Sequence, residues 1–111
     1  MSDGNRRATC IAVLGSTGSV GRQTLEVAEF LGLRVEAISG FRNVSLLEEQ
    51  IRKFSPRICA AADENAARDL RMRVRDTATE ILSGSEGLAE AARSTEADIV
   101  CNSVMGTAGL F

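Results

Sequence analysis

The sequence of 111 residues predicts an α/β fold with a doubly wound parallel sheet and helices on both of its faces. Short apolar runs alternate with longer runs of helical periodicity. The helical runs are long enough to be right-handed crossovers between parallel strands. A glycine-rich turn leads from the first apolar run into the first helix. Ordinary apolar content and a net charge of −2 are typical of one small globular domain with a modest core.

Five strands and four helices are expected to alternate along the chain. The strands are expected at residues 10–15, 34–40, 57–62, 79–84 and 97–106. The helices are expected at residues 23–31, 43–54, 63–76 and 85–94. The first strand, CIAVLG, is apolar without a break, which is typical of a strand that is covered on both faces. No internal repeat or linker interrupts the series.

Local signals indicate the start and the buried face of the first two helices. Leu25, Ala28 and Leu31 recur at helical spacing and predict the apolar face of the first helix. Ser45 and Glu48 have the spacing of a capping box at the start of the second helix. The buried face of that second helix is predicted to consist of Val44, Leu47, Ile51 and Phe54.

Composition argues against several classes of function. The sequence contains no His, Tyr or Trp, which excludes a complete short-chain dehydrogenase with its Tyr and Lys pair. Low aromatic content and a nearly neutral charge argue against a nucleic-acid partner, and no apolar run is long enough to span a membrane. No grouping of side chains predicts a metal site. The cysteines lie in short apolar runs and are expected to be buried thiols on strands: Cys10, Cys59 and Cys101.

The turn GSTGSVG predicts a dinucleotide-binding site. Its glycines are Gly15, Gly18 and Gly21. At such a turn one glycine permits the tight bend, another lets the backbone approach a pyrophosphate, and a third lets the helix pack close to the sheet. Backbone N–H groups at the positive end of the helix would point at the phosphates. The N–H groups concerned are those around Thr17, Gly18, Ser19 and Val20.

The alternative for this motif alone is a glycine-rich loop without a ligand. The strand–turn–helix context near the start of a βαβ series favours dinucleotide binding instead. A P-loop is excluded because no G-K-[ST] follows the glycines. The domain is therefore expected to be Rossmann-like.

The end of the second strand distinguishes NADP from NAD. An NAD site usually has an acidic residue there for the ribose 2′-hydroxyl, whereas an arginine accommodates the 2′-phosphate of NADP. Arg42 offers a fork of donors suited to phosphate, and Asn43 follows it directly. Glu36 is the rival ribose ligand, but it is expected to lie too early in the strand. The alternative for Arg42 is a solvated surface side chain; the missing acid favours NADPH.

The NADP-binding domain is expected to span residues 9–111, after a flexible N-terminal lead at residues 1–8. The lead has no apolar segment of a secretion signal, so a cytoplasmic location is predicted. The sequence stops at GTAGLF, directly after the fifth strand. We therefore expect a Rossmann-like domain that is incomplete at its C-terminal end.

Three segments resemble the amino-terminal, NADPH-binding part of the 1-deoxy-D-xylulose 5-phosphate reductoisomerase family. They are AVLGSTGSVGRQTLEV, GFRNVSLLEEQIRKFSPR and ADIVCNSVMGTAGL, in the family's order and at compatible spacing. The resemblance covers nearly the whole chain from Thr9. It implies pyrophosphate contacts from residues 17–20 and contacts of Arg42 and Asn43 with the 2′-phosphate. Phe41 departs from the pattern, because many family members have glycine immediately before the basic residue.

The resemblance also implies a reaction. The family converts 1-deoxy-D-xylulose 5-phosphate to 2-C-methyl-D-erythritol 4-phosphate with NADPH, in non-mevalonate isoprenoid biosynthesis. It needs Mg²⁺ or Mn²⁺, and in the family the carboxylate ligands lie beyond the position of Phe111. The chain would then be the cofactor half of an oxidoreductase and inactive alone. The oligomeric state is left open, with a homodimer as one option.

Two alternatives remain open from the sequence. The NADP domain of a semialdehyde dehydrogenase or acyl-phosphate reductase begins with a similar turn, but those enzymes use a downstream Cys and His. A free-standing NADP(H)-binding module is the non-enzymatic alternative. A gene that continues past Phe111 would favour the reductoisomerase, and a stop codon there would favour the module.

Overall fold

The computed structural model describes residues 9–93 and 98–102, which form a parallel sheet and its covering helices. The strands are β1 (Cys10–Leu14), β2 (Arg34–Gly40), β3 (Ile58–Ala61), β4 (Glu80–Ser83) and β5 (Ile99–Asn102). The helices are α1 (Ser19–Leu31), α2 (Val44–Phe54), α3 (Glu64–Arg73) and α4 (Gly84–Ala92). The expected alternation of strands and helices is confirmed. The N-terminal lead and the last residues of the expected fifth strand lie outside the described residues.

The sheet has the strand order β4-β3-β2-β1-β5, and every neighbouring pair is parallel. The chain begins in β1, moves outward through β2, β3 and β4, and returns to place β5 on the other side of β1. The strand order therefore reverses beside β1. In open α/β sheets, ligands bind outside the carboxyl ends of the strands at such a reversal.

Helices cover both faces of the sheet, which confirms the doubly wound fold. On one face, α1, α2 and α3 bury Leu25, Ile51 and Leu70 against the sheet. On the other face, Ala91 of α4 is buried against Ala12 and other strand residues. β1 and β3 are apolar without a break because both of their faces are covered.

The first helix differs from its expected bounds and face. It begins at Ser19 rather than at Gln23, because Gly18 has an extended backbone and forms the N-cap. Leu25 and Ala28 are buried as expected, whereas Leu31 is 60% exposed. The buried face of α1 is therefore narrower than the periodicity predicts.

The cap of the second helix also differs from the expectation. Asn43 is the N-cap, and its side-chain oxygen accepts a hydrogen bond from the N–H of Leu46 at 3.2 Å. Ser45 lies within the helix, and Glu48 pairs with Arg52 at 3.2 Å. The predicted capping box of Ser45 and Glu48 is wrong because Asn43 already has the non-helical backbone of a cap.

The three cysteines lie on strands but are not equally buried. Cys59 is fully buried, and this burial raises the pKa of its thiol to about 12. Cys10 and Cys101 are partly exposed, because Cys10 begins β1 and Cys101 lies on the edge strand β5. The expectation of three buried thiols therefore holds for Cys59 alone. In the described part of the chain, no helix has the length and apolar character needed to span a membrane.

Candidate dinucleotide-binding site

The turn after β1 is a tight bend against which α1 packs closely. Gly15 has a φ of 82°, in the left-handed region that favours glycine, and its carbonyl accepts a hydrogen bond from the N–H of Gly18 at 3.1 Å. A Cβ atom added to Gly21 would lie 2.1 Å from the Gly15 carbonyl oxygen. Gly15 and Gly21 therefore have the geometry of the bend and of the close helix packing that the spacing predicts.

Gly18 has a different environment. A Cβ atom added there would lie 3.6 Å from the Gly15 carbonyl oxygen, an ordinary contact, so the fold has room for a small side chain. Gly18 is exposed and has no side chain that could cap α1, and the first turn of α1 contains no acidic residue. The N–H groups at the start of this helix of 13 residues thus suit an anion.

A buried network of hydrogen bonds holds the turn, and the sequence analysis missed it. Ser16 is fully buried, and its N–H donates to the carbonyl of Ser39 at 2.7 Å. The hydroxyl of Ser16 donates to Oε1 of Gln50 at 2.6 Å, and Nε2 of Gln50 donates to the Ser16 carbonyl at 2.9 Å. The N–H of Gly15 donates to the hydroxyl of Ser39 at 2.9 Å. In the sequence, the glutamine directly before the predicted core residue Ile51 was the one available signal for this network.

A cleft of about 340 Å³ lies at the carboxyl ends of β1, β2 and β3. It is lined by Gly15, Thr17, Gly18, Ser39, Gly40, Phe41, Ala62 and Leu88. The glycine turn is on one side of this cleft, and the end of β2 is on another. The cleft therefore brings together the two segments that the sequence assigns to one dinucleotide.

Arg42 and Asn43 lie at the start of α2, next to this cleft. The Arg42 guanidinium lies over the ring of Phe41, 4.9 Å from its centroid, and Phe41 itself lines the cleft. Within residues 9–93 and 98–102, Arg42 forms no salt bridge. Asn43 caps α2, so the positive N-terminal end of this helix lies beside Arg42. An exposed, unpaired guanidinium beside a helix N-terminus suits a phosphate group.

Glu36, the rival ribose ligand, has another function. Only 3% of its surface is exposed, and its carboxylate pairs with the side chain of Arg57. The backbone of Arg57 also donates to the Glu36 carbonyl at 2.8 Å. Glu36 is thus held in a structural pair in the middle of β2, away from the strand end where a ribose would lie.

Metal ligands are not grouped in the part of the chain that the structure describes. Among those residues, no three His, Cys, Asp or Glu side chains lie close enough together to hold an ion. The described residues therefore do not fit a divalent cation.

The family of the chain follows from its sequence as a whole. Residues 11–111 match the family model of 1-deoxy-D-xylulose 5-phosphate reductoisomerase. The chain belongs to this family. The assignment decides against the semialdehyde dehydrogenase alternative and confirms the resemblance of the three segments.

Curated relatives agree with the family model. The chain is 42% identical over 104 residues to a 1-deoxy-D-xylulose 5-phosphate reductoisomerase of Ruminiclostridium cellulolyticum, and the match covers 94% of the chain and 27% of the relative. It is 47% identical over 103 residues to the reductoisomerase of Caldanaerobacter subterraneus subsp. tengcongensis, covering 91% of the chain and 26% of that relative. The chain thus spans about a quarter of the length of these relatives.

Solved structures of reductoisomerases share the fold. The enzyme of Zymomonas mobilis in complex with NADPH matches with a TM-score of 0.75 and 29% identity, over 79% of the chain and 24% of that structure. A reductoisomerase in complex with NADPH, fosmidomycin and magnesium matches with a TM-score of 0.76 and 34% identity, over 83% of the chain and 23% of that structure. The Rossmann-like fold of this chain therefore agrees with its assignment to the reductoisomerase family.

Gly21→Ala is expected to destabilise the fold, whereas Gly18→Ala is not. The added methyl group at Gly21 meets backbone atoms of the turn at 2.1 to 2.8 Å, so α1 must move away. Overpacking of this kind costs about 1 to 3 kcal/mol. Thermal unfolding of both variants measures the difference, and equal melting temperatures would contradict the close packing of α1 on the turn.

Proposed function

We propose that the chain is the NADPH-binding part of an enzyme that converts 1-deoxy-D-xylulose 5-phosphate to 2-C-methyl-D-erythritol 4-phosphate in non-mevalonate isoprenoid biosynthesis. The observation that carries the proposal is the cleft itself, which has the glycine turn on one side and leads to Arg42 on another. Relatives that were solved with NADPH support the choice of cofactor.

The pyrophosphate would lie at the N-terminus of α1. The exposed, uncapped start of this helix provides backbone donors and a partial positive charge. Gly15 and Gly21 shape the turn, and Gly18 leaves room for the phosphates. The proposed pyrophosphate-binding residues are Gly15, Thr17, Gly18, Ser19, Val20 and Gly21.

The 2′-phosphate of NADPH would lie at the N-terminus of α2. Arg42 has donors free for an anion there, and Asn43 holds the first turn of the helix in place through its cap. Phe41 stacks on Arg42 and lines the same cleft, so it narrows the space beside the adenosine. This arrangement favours NADPH over NADH because the second strand ends without an acidic residue.

The rest of the reaction requires groups that the described cleft lacks. NADPH supplies the hydride, and the residues of this chain bind and orient it. The lining residues of the cleft have no ionisable side chain, so proton transfer to the substrate must come from elsewhere in the active enzyme. A reductoisomerase in complex with magnesium matches this chain with a TM-score of 0.78, which supports a divalent ion, Mg²⁺ or Mn²⁺, bound outside the described residues.

The proposal also includes the bounds of the domain, its cellular location and its oligomeric state. Residues 9–111 would form the NADP-binding domain after a lead at residues 1–8. A cytoplasmic location stays a prediction. The homodimer stays a prediction.

Arg42→Ala is expected to weaken NADPH binding and to leave NADH binding unchanged. Loss of a charge-assisted contact with the 2′-phosphate costs about 1.5 to 3 kcal/mol, roughly ten- to a hundredfold in affinity. Fluorescence titration of both cofactors measures the effect, with Arg68→Ala on the exposed face of α3 as the control. Equal affinity of the wild type for NADPH and NADH would refute the selectivity.

Gly18→Val is expected to abolish cofactor binding while the fold is retained. A branched side chain would occupy the space next to the pyrophosphate, whereas the fold itself has only an ordinary contact at that position. Titration with NADPH and circular dichroism of the same sample separate the two effects. If the variant bound NADPH normally, the turn would be a plain loop.

The 111-residue chain alone is expected to show no reductoisomerase activity. It lacks His and Tyr, has one lysine and places its acidic residues mostly on helices, so few groups are positioned for proton transfer. The assay follows NADPH oxidation after 1-deoxy-D-xylulose 5-phosphate and Mn²⁺ are added to the purified chain, with a boiled sample as control. Turnover that depends on the substrate would show that catalytic residues lie within these 111 residues.

A further inference from the structure

Gln50 is a buried polar residue in the apolar face of α2. Only 6% of its surface is exposed, and its neighbour Ile51 and the nearby Leu47 are core residues. Burial of an amide without hydrogen bonds is unfavourable, so a glutamine at this position needs partners inside the protein. Both of its side-chain partner atoms belong to Ser16, 34 residues earlier in the sequence.

The amide of Gln50 and Ser16 form a reciprocal pair. Oε1 of Gln50 accepts from the Ser16 hydroxyl at 2.6 Å, and Nε2 donates to the Ser16 carbonyl at 2.9 Å. Ser16 lies between the left-handed Gly15 and Thr17, which lines the cleft. The pair therefore fixes the backbone carbonyl and the side chain of one residue in the middle of the turn.

The pair also connects two elements of the site. Ser39 at the end of β2 holds the N–H groups of Gly15 and Ser16 at 2.9 and 2.7 Å, and Gln50 holds Ser16 from α2. The turn is thus restrained from the strand on one side and from the helix on the other. Because the bonds between Ser16 and Gln50 are buried, water does not compete for them, and they keep one orientation of the turn.

We propose that Gln50 is a positioning residue for the cofactor: through Ser16 it holds the glycine turn in the conformation that binds the pyrophosphate. The inference rests on the proposed function, since it assumes that the turn binds a dinucleotide. Gln50 lines no part of the cleft and acts only through the turn. A turn that is already ordered loses less conformational entropy when the ligand binds.

The role predicts a distinctive pattern of affinities. The pyrophosphate is common to NADPH and NADH, so loss of the Gln50 restraint weakens both cofactors by the same factor. Arg42 contacts only the 2′-phosphate in the proposed complex, so its loss changes the ratio of the two affinities. A displacement of the whole of α2 would also move Arg42 and change that ratio.

The experiment measures dissociation constants for NADPH and NADH by titration of the natural protein and of its variants. Gln50→Leu is expected to raise both constants about tenfold with an unchanged ratio, in line with the loss of a buried hydrogen-bonded pair. Gln50→Glu keeps the shape and an acceptor for the Ser16 hydroxyl but loses the donor to the Ser16 carbonyl, so it is also expected to raise both constants with an unchanged ratio. Ile51→Val is the matched control, because Ile51 is also buried in α2 but forms none of these hydrogen bonds.

Each outcome decides the proposal. Unchanged affinities in a folded Gln50→Leu protein would overturn it, as would a change in NADPH affinity alone or an equal loss in Ile51→Val. If Gln50→Leu does not fold, Gln50→Glu and Ser16→Ala decide by the same two titrations. A wild-type protein that binds neither cofactor would instead refute the proposed function.

Discussion

The close contact between α1 and the turn after β1 is the constraint on which the site depends. The Gly15 carbonyl oxygen lies so near to Gly21 that a Cβ atom would be 2.1 Å from it. This contact places the N-terminus of α1 directly over the end of β1. The N–H groups of the first helical turn then lie next to the cleft rather than against protein, because the N-cap Gly18 has no side chain to receive them. The proposed binding of the pyrophosphate at this turn thus depends on packing and not on charged side chains.

The second β-α unit, formed by β2 and α2, brings Arg42 and Gln50 to the proposed site. β2 runs parallel to β1 and pairs Ile11 with Val35, so the two strands end at the same edge of the sheet. The N-terminus of α2, with Arg42 before its cap, is therefore close to the glycine turn although the two are more than twenty residues apart. The same helix contributes Gln50 to the turn from its buried face. One helix thus supports the proposed site at its exposed start and in its interior.

The order of elements could be predicted from the sequence because it depends on local patterns, and the proposed site was assigned from patterns of the same kind. The apolar strands, the glycine spacing and the arginine after the second strand are each visible within a few residues. The Asn43 cap was missed because the Ser45 and Glu48 spacing fits a capping box equally well in the sequence, and only backbone geometry distinguishes them. The Ser16 and Gln50 pair was missed because it joins residues 34 positions apart. Contacts of that range depend on how α2 packs, which no local pattern specifies.

In the proposed complex, cofactor binding and chemistry are separated. The described residues that line the cleft are uncharged, so they offer backbone donors, hydroxyls and shape but no acid or base. Most of the charged side chains of α2 and α3 are instead paired on the surface, where Arg52 lowers the pKa of the Asp76 carboxyl. A cleft that carries no charge of its own does not repel the phosphates or compete with them for the helix termini. In the proposed complex, the described lining residues also offer the nicotinamide no acid or base, so the groups for proton transfer would reach it from outside this cleft.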